Sequence, residues 1–243
     1  MRDAERSDPV TDLESPGRVS LFSDFEITGC GLAFEEQAWG SGFKFVAGID
    51  EVGRGCLAGP VVAGACILDP SKPLPKGLND SKQVAANQRV EIAAELKESC
   101  IAYAIGSVEA EDIDRINILE ATKLAMRLAV ADLTPNADFL LIDALDLKGL
   151  SVPHKSIIKG DSISASIAAA SILAKTYRDE LMRSHEAEYP EYGFAEHVGY
   201  GTKRHLDALR NVGACPLHRR TFRGVLQKTE ISLAINGEKG VNN

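Results

Sequence analysis

The sequence has little cysteine, and none of it is arranged in pairs. Cys30, Cys56, Cys66, Cys100 and Cys215 are odd in number, scattered, and form no C-x-x-C. That argues against a zinc site or a disulfide framework, and reduced thiols fit the cytosol. Cys66 and Cys100 lie in apolar surroundings, where a thiol serves as a small hydrophobe. Long apolar runs are also missing. None reaches the roughly 18–20 residues that cross a bilayer, so no membrane partner is expected. The first residues, Met1 to Pro9, are polar and mixed in charge. They lack the apolar stretch of a signal peptide and the acid-poor character of a transit peptide. The expected compartment is the cytoplasm. An excess of positive charge is absent too. The net charge is −8, which argues against nucleic-acid binding by bulk charge alone. No internal repeat is visible.

What is present suits one globular domain with tails. The chain has 243 residues, 44% hydrophobic and 26% charged, enough for a sizeable core. Its charge is uneven. Residues 1–40 carry Arg2, Arg6 and Arg18 against nine acids. Residues 197–228 carry Lys203, Arg204, Arg210, Arg219, Arg220, Arg223 and Lys228 against Asp207 alone. That run reads as a solvated basic face or as a local phosphate-contacting surface. The composition divides the chain at residues 1–30, an acidic extended or disordered extension, and 229–243, a polar flexible tail. Between them, residues 31–228 form the domain, with a helical C-terminal part from about residue 186.

Periodicity gives the elements. A short helix is expected at 31–40. Phe45 to Ile49 reads as a strand ending in a Gly/Asp/Glu turn, and Val61 to Leu68 as a second. Residues 85–99 are helical, with Val90, Ala93, Ala94 and Leu96 on one side. Ile101 to Val108 is a strand. Residues 117–133 form an amphipathic helix with Ile118, Ala121, Leu124, Ala125, Leu128 and Ala129 on one face. Phe139 to Ile142 is a strand buried on both faces. Ser156 to Lys159 is another short strand, and helices follow at 163–186 and 202–211. Strands alternating with helices predict an α/β layer fold with one mixed sheet flanked by helices.

Acids stand at the strand ends and turns: Asp50, Glu51, Asp143 and Asp161. Hard cations such as Mg²⁺ and Mn²⁺ take carboxylate oxygens and leave positions open for phosphate. Two such ions cleave a phosphodiester. Neighbours on a straight strand point to opposite faces, so Asp50 and Glu51 share an ion only if the chain bends there. Taken singly, each acid reads as a turn former, and Asp161 as a helix N-cap.

The surrounding strings decide the matter. They are Gly48-Ile49-Asp50-Glu51-Val52-Gly53-Arg54-Gly55, Leu57-Ala58-Gly59-Pro60-Val61-Val62 and Leu78-Asn79-Asp80-Ser81-Lys82. Asp114-Arg115-Ile116-Asn117-Ile118-Leu119, Lys159-Gly160-Asp161 and Ser166 to Lys175 follow. The last are Tyr192-Gly193-Phe194-Ala195, Gly199-Tyr200-Gly201-Thr202 and His218-Arg219-Arg220-Thr221-Phe222. In this order, from Phe45 to about Phe222, the chain resembles bacterial ribonuclease HII. The resemblance implies a ribonuclease H-like fold and a Mn²⁺- or Mg²⁺-dependent endonuclease. Such an enzyme cleaves RNA in RNA–DNA hybrids, and 5′ of ribonucleotides embedded in duplex DNA, leaving 3′-hydroxyl and 5′-phosphate ends. It implies Asp50, Glu51, Asp143 and Asp161 as catalytic acids and metal ligands. It further implies substrate contacts by Gly53, Arg54, Gly55, Asp80, Ser81, Lys82, Asn117, Lys175, Tyr200, Arg219 and Arg220. The protein is expected to be monomeric, with a replication or repair protein as a conceivable partner. Cys56, Ala144, Tyr177 and Val198 depart from the family pattern. A hybrid-binding module without catalysis, and a nuclease of the same fold acting on a DNA junction, are the alternatives.

Overall fold

The computed structural model describes residues 29–225. The expected acidic extension up to residue 28 and the tail from 229 lie outside the described residues.

Five strands form one mixed sheet in the order β3-β2-β1-β4-β5. They are β1 (Val46–Val52), β2 (Val61–Ile67), β3 (Ala102–Val108), β4 (Phe139–Asp143) and β5 (His154–Ile157). β1 to β3 form an antiparallel meander, and β4 and β5 join parallel to β1. β1 is central and does not end at Ile49. Its pairing with β4 stops at Ile49↔Ile142, but β2 carries it on through Asp50↔Gly64 and Glu51↔Ala63. The bend therefore comes later, at Gly53, whose φ is 90°, and not between Asp50 and Glu51, so the condition set for those two neighbours to share one ion is not met by the strand itself. β5 lies two residues earlier than the pattern suggested, because Lys159 adopts a left-handed conformation that leaves the sheet.

Helix α4 (Ile118–Ala131) covers one face and α5 (Ala165–Ser184) the other. Both sit unusually close. A Cβ on Gly106 would strike the Ala125 backbone of α4, and a Cβ on Gly48 or Gly64 would strike the backbone of α5 at Ser166 or Ala170. The small residues Ala165, Ala168, Ala169 and Ala170 make the same approach possible from the helix side. Buried side chains such as Ile49, Met126, Leu140 and Ile142 each contribute roughly 1.5–3 kcal/mol of transfer free energy.

This closeness also corrects the helix faces. On α4 the buried stripe is Ala121, Thr122, Ala125, Met126 and Ala129, and Leu124 and Leu128 are exposed. Small residues face the sheet because backbone approaches backbone there. On α2 (Ala86–Ser99) the buried residues are Ile92, Ala93 and Leu96, while Val90 and Ala94 face solvent. Helices α1 (Ala33–Gly40) and α3 (Ala110–Ile116) complete the main layer. A second core of Met182, Tyr192, Phe194, Leu209, Cys215 and Val225 holds α6 (Phe194–His197) and α7 (Lys203–Val212) against the far half of α5. This is the expected C-terminal helical part.

Candidate active site

Parallel pairing of β1 with β4 places Ile49 beside Ile142, so the next residues, Asp50 and Asp143, stand side by side at one sheet edge. Asp161 arrives on a 3-10 turn (Gly160–Ser162) just before α5. The Gly160 N–H donates to Asp143 Oδ1 at 2.7 Å, which ties that turn to β4. Asp161 is not the N-cap of α5. Ser164 is, its hydroxyl accepting the Ile167 N–H. Buried Glu35 on α1 anchors this start, accepting the hydroxyls of Ser164 and Ser166 and the Ser166 N–H on one oxygen.

The four acids feel one another. Burial pushes the Asp50 carboxyl well above its ordinary range, and Glu51 and Asp143 push it further, while the Ser171 hydroxyl opposes them. Burial also raises Asp143 to about 6, with Asp161 and Glu51 adding and the Gly160 N–H opposing. Asp161 is raised by burial and by Asp80, with Lys82 opposing. Arg54 pairs with Glu51 at 3.2 Å and Lys82 with Asp161 at 3.6 Å. Asp50 and Asp143 have no ion-pair partner among the described residues. Crowded carboxylates left in this state fit a divalent cation, and the donor set is all oxygen. Among the described residues, no three His, Cys, Asp or Glu are set closely enough to hold an ion unaided.

Beside the acids lies a cleft of about 180 Å³ lined by Glu51, Gly53, Arg54, Gly55, Ser81, Lys82, Ser171, Lys175 and Tyr200. Val52 lines it too, and Val52 and Ser171 are the two lining residues that the sequence did not single out as site residues. The two glycines of Gly53-Arg54-Gly55 differ. A Cβ on Gly53 would collide with the Arg178 guanidinium, whereas nothing lies within 4 Å of one on Gly55. Gly55 is the position that leaves room for a ligand. The Asp80-Ser81-Lys82 turn is held by Asp80, which accepts the Lys82 N–H, and by Ser81, whose hydroxyl meets that of Ser171 at 2.8 Å. Arg89 fastens the same turn through the carbonyls of Ser81 and Val84. Lys175 donates to Asp179 and lies over the Tyr200 ring, 5.5 Å from its centre. That ring is 40% exposed.

Three expected contacts sit elsewhere. Arg219 is fully buried and donates to the carbonyls of Gly59 and Arg54, so it is closed to a phosphate. Asn117 spends its side-chain oxygen capping α4. Arg220 is exposed, and its backbone N–H is taken by Asp114. His218 is buried against His205 and Cys215, away from the acids. Ser171, Arg89 and Arg178 were missed. A signal existed for the first: Ser171, Lys175 and Asp179 recur at i, i+4 along α5, which puts them on one face.

The departures acquire physical content. Ala144 and Val198 both have positive φ, 50° and 44°, a conformation that costs L-residues energy and suits glycine. Cys56 is buried beneath the cleft, and Tyr177 is exposed away from it, beside Tyr103.

A family model for ribonuclease HII matches residues 47–225. Ribonuclease HII of Desulfitobacterium hafniense (strain Y51) is 55% identical over 200 residues, 82% of this chain and 76% of that protein. Ribonuclease H2 from Pyrococcus horikoshii OT3 superposes with a TM-score of 0.64 at 26% identity, over 79% of this chain and 99% of that one. Bst-RNase HIII, solved in complex with Mn²⁺, shares the fold with a TM-score of 0.57 at 22% identity, over 80% of this chain and 70% of that one. The chain belongs to the ribonuclease HII family, type 2 ribonuclease H endonucleases that act on RNA–DNA hybrids.

Proposed function

We propose that the enzyme cuts RNA in hybrids and also cuts 5′ of single ribonucleotides embedded in duplex DNA, leaving 3′-hydroxyl and 5′-phosphate ends. The observation that carries this reading is the placement of the acids beside the Gly55–Tyr200 cleft. A carboxylate cluster at the β1/β4 edge adjoins a gap bordered by a bare glycine, two cations and an exposed tyrosine. Asp50, Glu51, Asp143 and Asp161 would hold Mn²⁺ or Mg²⁺. When bound, two such ions supply an activated water and a stabilised leaving oxygen. The protein side of the chemistry is positioning. Gly55 lets a sugar approach the backbone, where the 2′-hydroxyl marks RNA. Tyr200 offers a flat face to that sugar. Lys82, Ser81 and Lys175 face the adjoining phosphates, and Arg54 extends the cationic rim. The described residues contain no helix long and apolar enough to cross a membrane. We place the enzyme in the cytoplasm as a monomer.

The test is a duplex with one embedded ribonucleotide, incubated with Mn²⁺ or Mg²⁺ and again with chelator. Cleavage 5′ of the ribonucleotide, lost with chelator and lost in Asp50→Asn, is expected. Parental turnover by a folded Asp50→Asn would remove the metal assignment. Cleavage of all-DNA duplexes at the same rate would remove the ribonucleotide assignment. Binding of the duplex without cleavage in Mn²⁺ would leave only a binding module.

A further inference from the structure

Two fully buried arginines lie directly beneath the cleft. Arg178, on α5, donates from Nε to the Pro60 carbonyl (2.9 Å), from Nη2 to Ala58 (3.0 Å) and from Nη1 to Val198 (2.8 Å). Arg219 donates from Nε to Gly59 (3.0 Å) and from Nη1 to Arg54 (3.0 Å). Neither forms an ion pair among the described residues, and the second terminal nitrogen of Arg219 is buried without a partner. Burial pulls the Arg219 guanidinium down to about 10. Buried charges without carboxylates are costly, and apolar residues of similar volume would serve stability better. What the guanidinium forks supply instead is geometry, since Arg178 holds three carbonyls and Arg219 two, each with one rigid group.

Those carbonyls belong to both walls of the cleft. Arg54, Ala58, Gly59 and Pro60 lie on the loop that carries Gly55. Val198 leads into Tyr200. The Leu57 N–H donates to the Gly199 carbonyl, which stitches the two loops together directly, and the Arg219 N–H donates to the Leu57 carbonyl, which seats Arg219 against the Gly55 loop. Three glycines with positive φ, Gly53, Gly59 and Gly199, converge on the Arg178 side chain, and a Cβ on Gly53 would displace it. Val198 is held in a left-handed conformation that a β-branched residue avoids, and its carbonyl is the one that Arg178 takes.

We propose that Arg178 and Arg219 are positioning residues for ribonucleotide cleavage: Arg178 locks the Gly55 loop to the Tyr200 loop, Arg219 fixes the course of the Gly55 loop, and together they set the width of the cleft. This rests on the reading of that cleft as the place where the ribose sits. The pair touches no substrate and acts through the backbone it holds.

Arg178→Lys and Arg219→Lys keep the charge and lose the fork. Each variant is assayed on the embedded-ribonucleotide duplex, with Mn²⁺ binding by calorimetry and Tm alongside. Misplacing a contact by about 1 Å costs up to roughly a hundredfold, so kcat is expected to fall about tenfold or more. KM should change less than about threefold, and Mn²⁺ affinity less than about twofold. Parental kcat in a folded Arg178→Lys, or activity lost only in step with Mn²⁺ affinity, would overturn the proposal. If Arg178→Lys is unfolded at the assay temperature, Arg219→Lys and Gly53→Ala, which crowds the Arg178 guanidinium, carry the same outcomes. A parent enzyme inert on the embedded ribonucleotide defeats the functional reading and the proposal with it. An active parent with unaffected variants defeats the proposal alone.

Discussion

Under the proposed function, Asp143 carries a tension between metal binding and stability. Its carboxyl is raised to about 6 in the fold, chiefly by burial and then by Asp161 and Glu51, against an ordinary value of 3.8. Between those two pH values the folded chain keeps a proton that the unfolded chain has lost. Stability of the metal-free protein therefore falls as pH rises from about 4 to about 6, and stays lowered above it. Asp143→Asn removes the charge but keeps an oxygen for the Gly160 N–H. The expected result with chelator present at pH 7.5 is a gain of roughly 1–2 kcal/mol, after discounting for solvent screening. The gain should vanish below pH 4, and cleavage should be abolished. Denaturant melts at the two pH values check the first, and the embedded-ribonucleotide assay the second. At this scale the sequence told much about the acids and little about their support. Asp50, Glu51, Asp143 and Asp161 were singled out because their strings are specific, and the fold brings Asp50 beside Asp143 with the Asp161 turn tied to β4. The roles of Arg178 and Arg219 were not legible, because a basic residue carries no mark of burial in the sequence: Arg178 went unmarked and Arg219 stood as a phosphate contact, and both are enclosed.

Helices and strands were legible where period and hydrophobicity agreed, and misread where close packing reversed the rule. Leu124 and Leu128 looked like core on α4, yet glycine in the facing strand draws the alanine stripe inward instead. The start of α5 shows a similar dependence on tertiary partners. Glu35 gathers three donors on one oxygen there. Glu35→Ala leaves Ser164 and Ser166 without that acceptor in the interior, and should cost about 2–3 kcal/mol. Glu35→Gln, which keeps the oxygen, should cost clearly less in the same thermal melts. Equal losses would show that the oxygen does not anchor the helix. The C-terminal unit hangs on two neutral histidines. The Cys215 N–H donates to His218 Nδ1, so His218 must carry its proton on Nε2 and donate to His205 Nε2. His205 is then protonated on Nδ1 and donates to the Tyr200 carbonyl. Burial holds both rings down at about 4. Unfolded imidazoles bind protons near 6.5, so the unfolded state gains protons first as pH falls from 6.5 towards 4, and stability of this unit is lost over that window. Hydrogen exchange corrected for intrinsic rates should show α7 and the Tyr200 loop opening more at pH 5 than at pH 7, with α4 changing little. Equal protection of α7 at the two pH values would refute the neutral pair.

At the scale of the whole molecule, the layer order and the C-terminal unit followed from the alternation of strands and helices. The strand order did not. Nothing local tells β1 to take both β2 and β4 as neighbours, although that pairing is what brings Asp50 and Asp143 together. The uneven charge is also clearer in three dimensions than along the chain. Part of the basic run answers acids of its own unit: Lys203 and Arg210 pair with Asp207, and Arg204 with Glu196. Arg219 is buried. The cationic surface left for a nucleic acid is therefore smaller than the count of basic residues suggests, on a protein whose net charge is −8. Binding to duplex DNA loses about 0.9 in log affinity per decade of salt for each phosphate neutralised. With Lys82, Lys175, Arg220 and Arg223 as the main contributors, the expected slope is about −2 to −4. The measurement is fluorescence anisotropy of Asp143→Asn on a ribonucleotide-containing duplex between about 50 and 300 mM salt, a range that spans the steep part of such plots. Arg220→Glu with Arg223→Glu should flatten the slope by about 2. A parental slope steeper than about −6 would mean that backbone charge, not the shape of the cleft, holds the substrate, and that the ion pairs along α7 give way when DNA arrives.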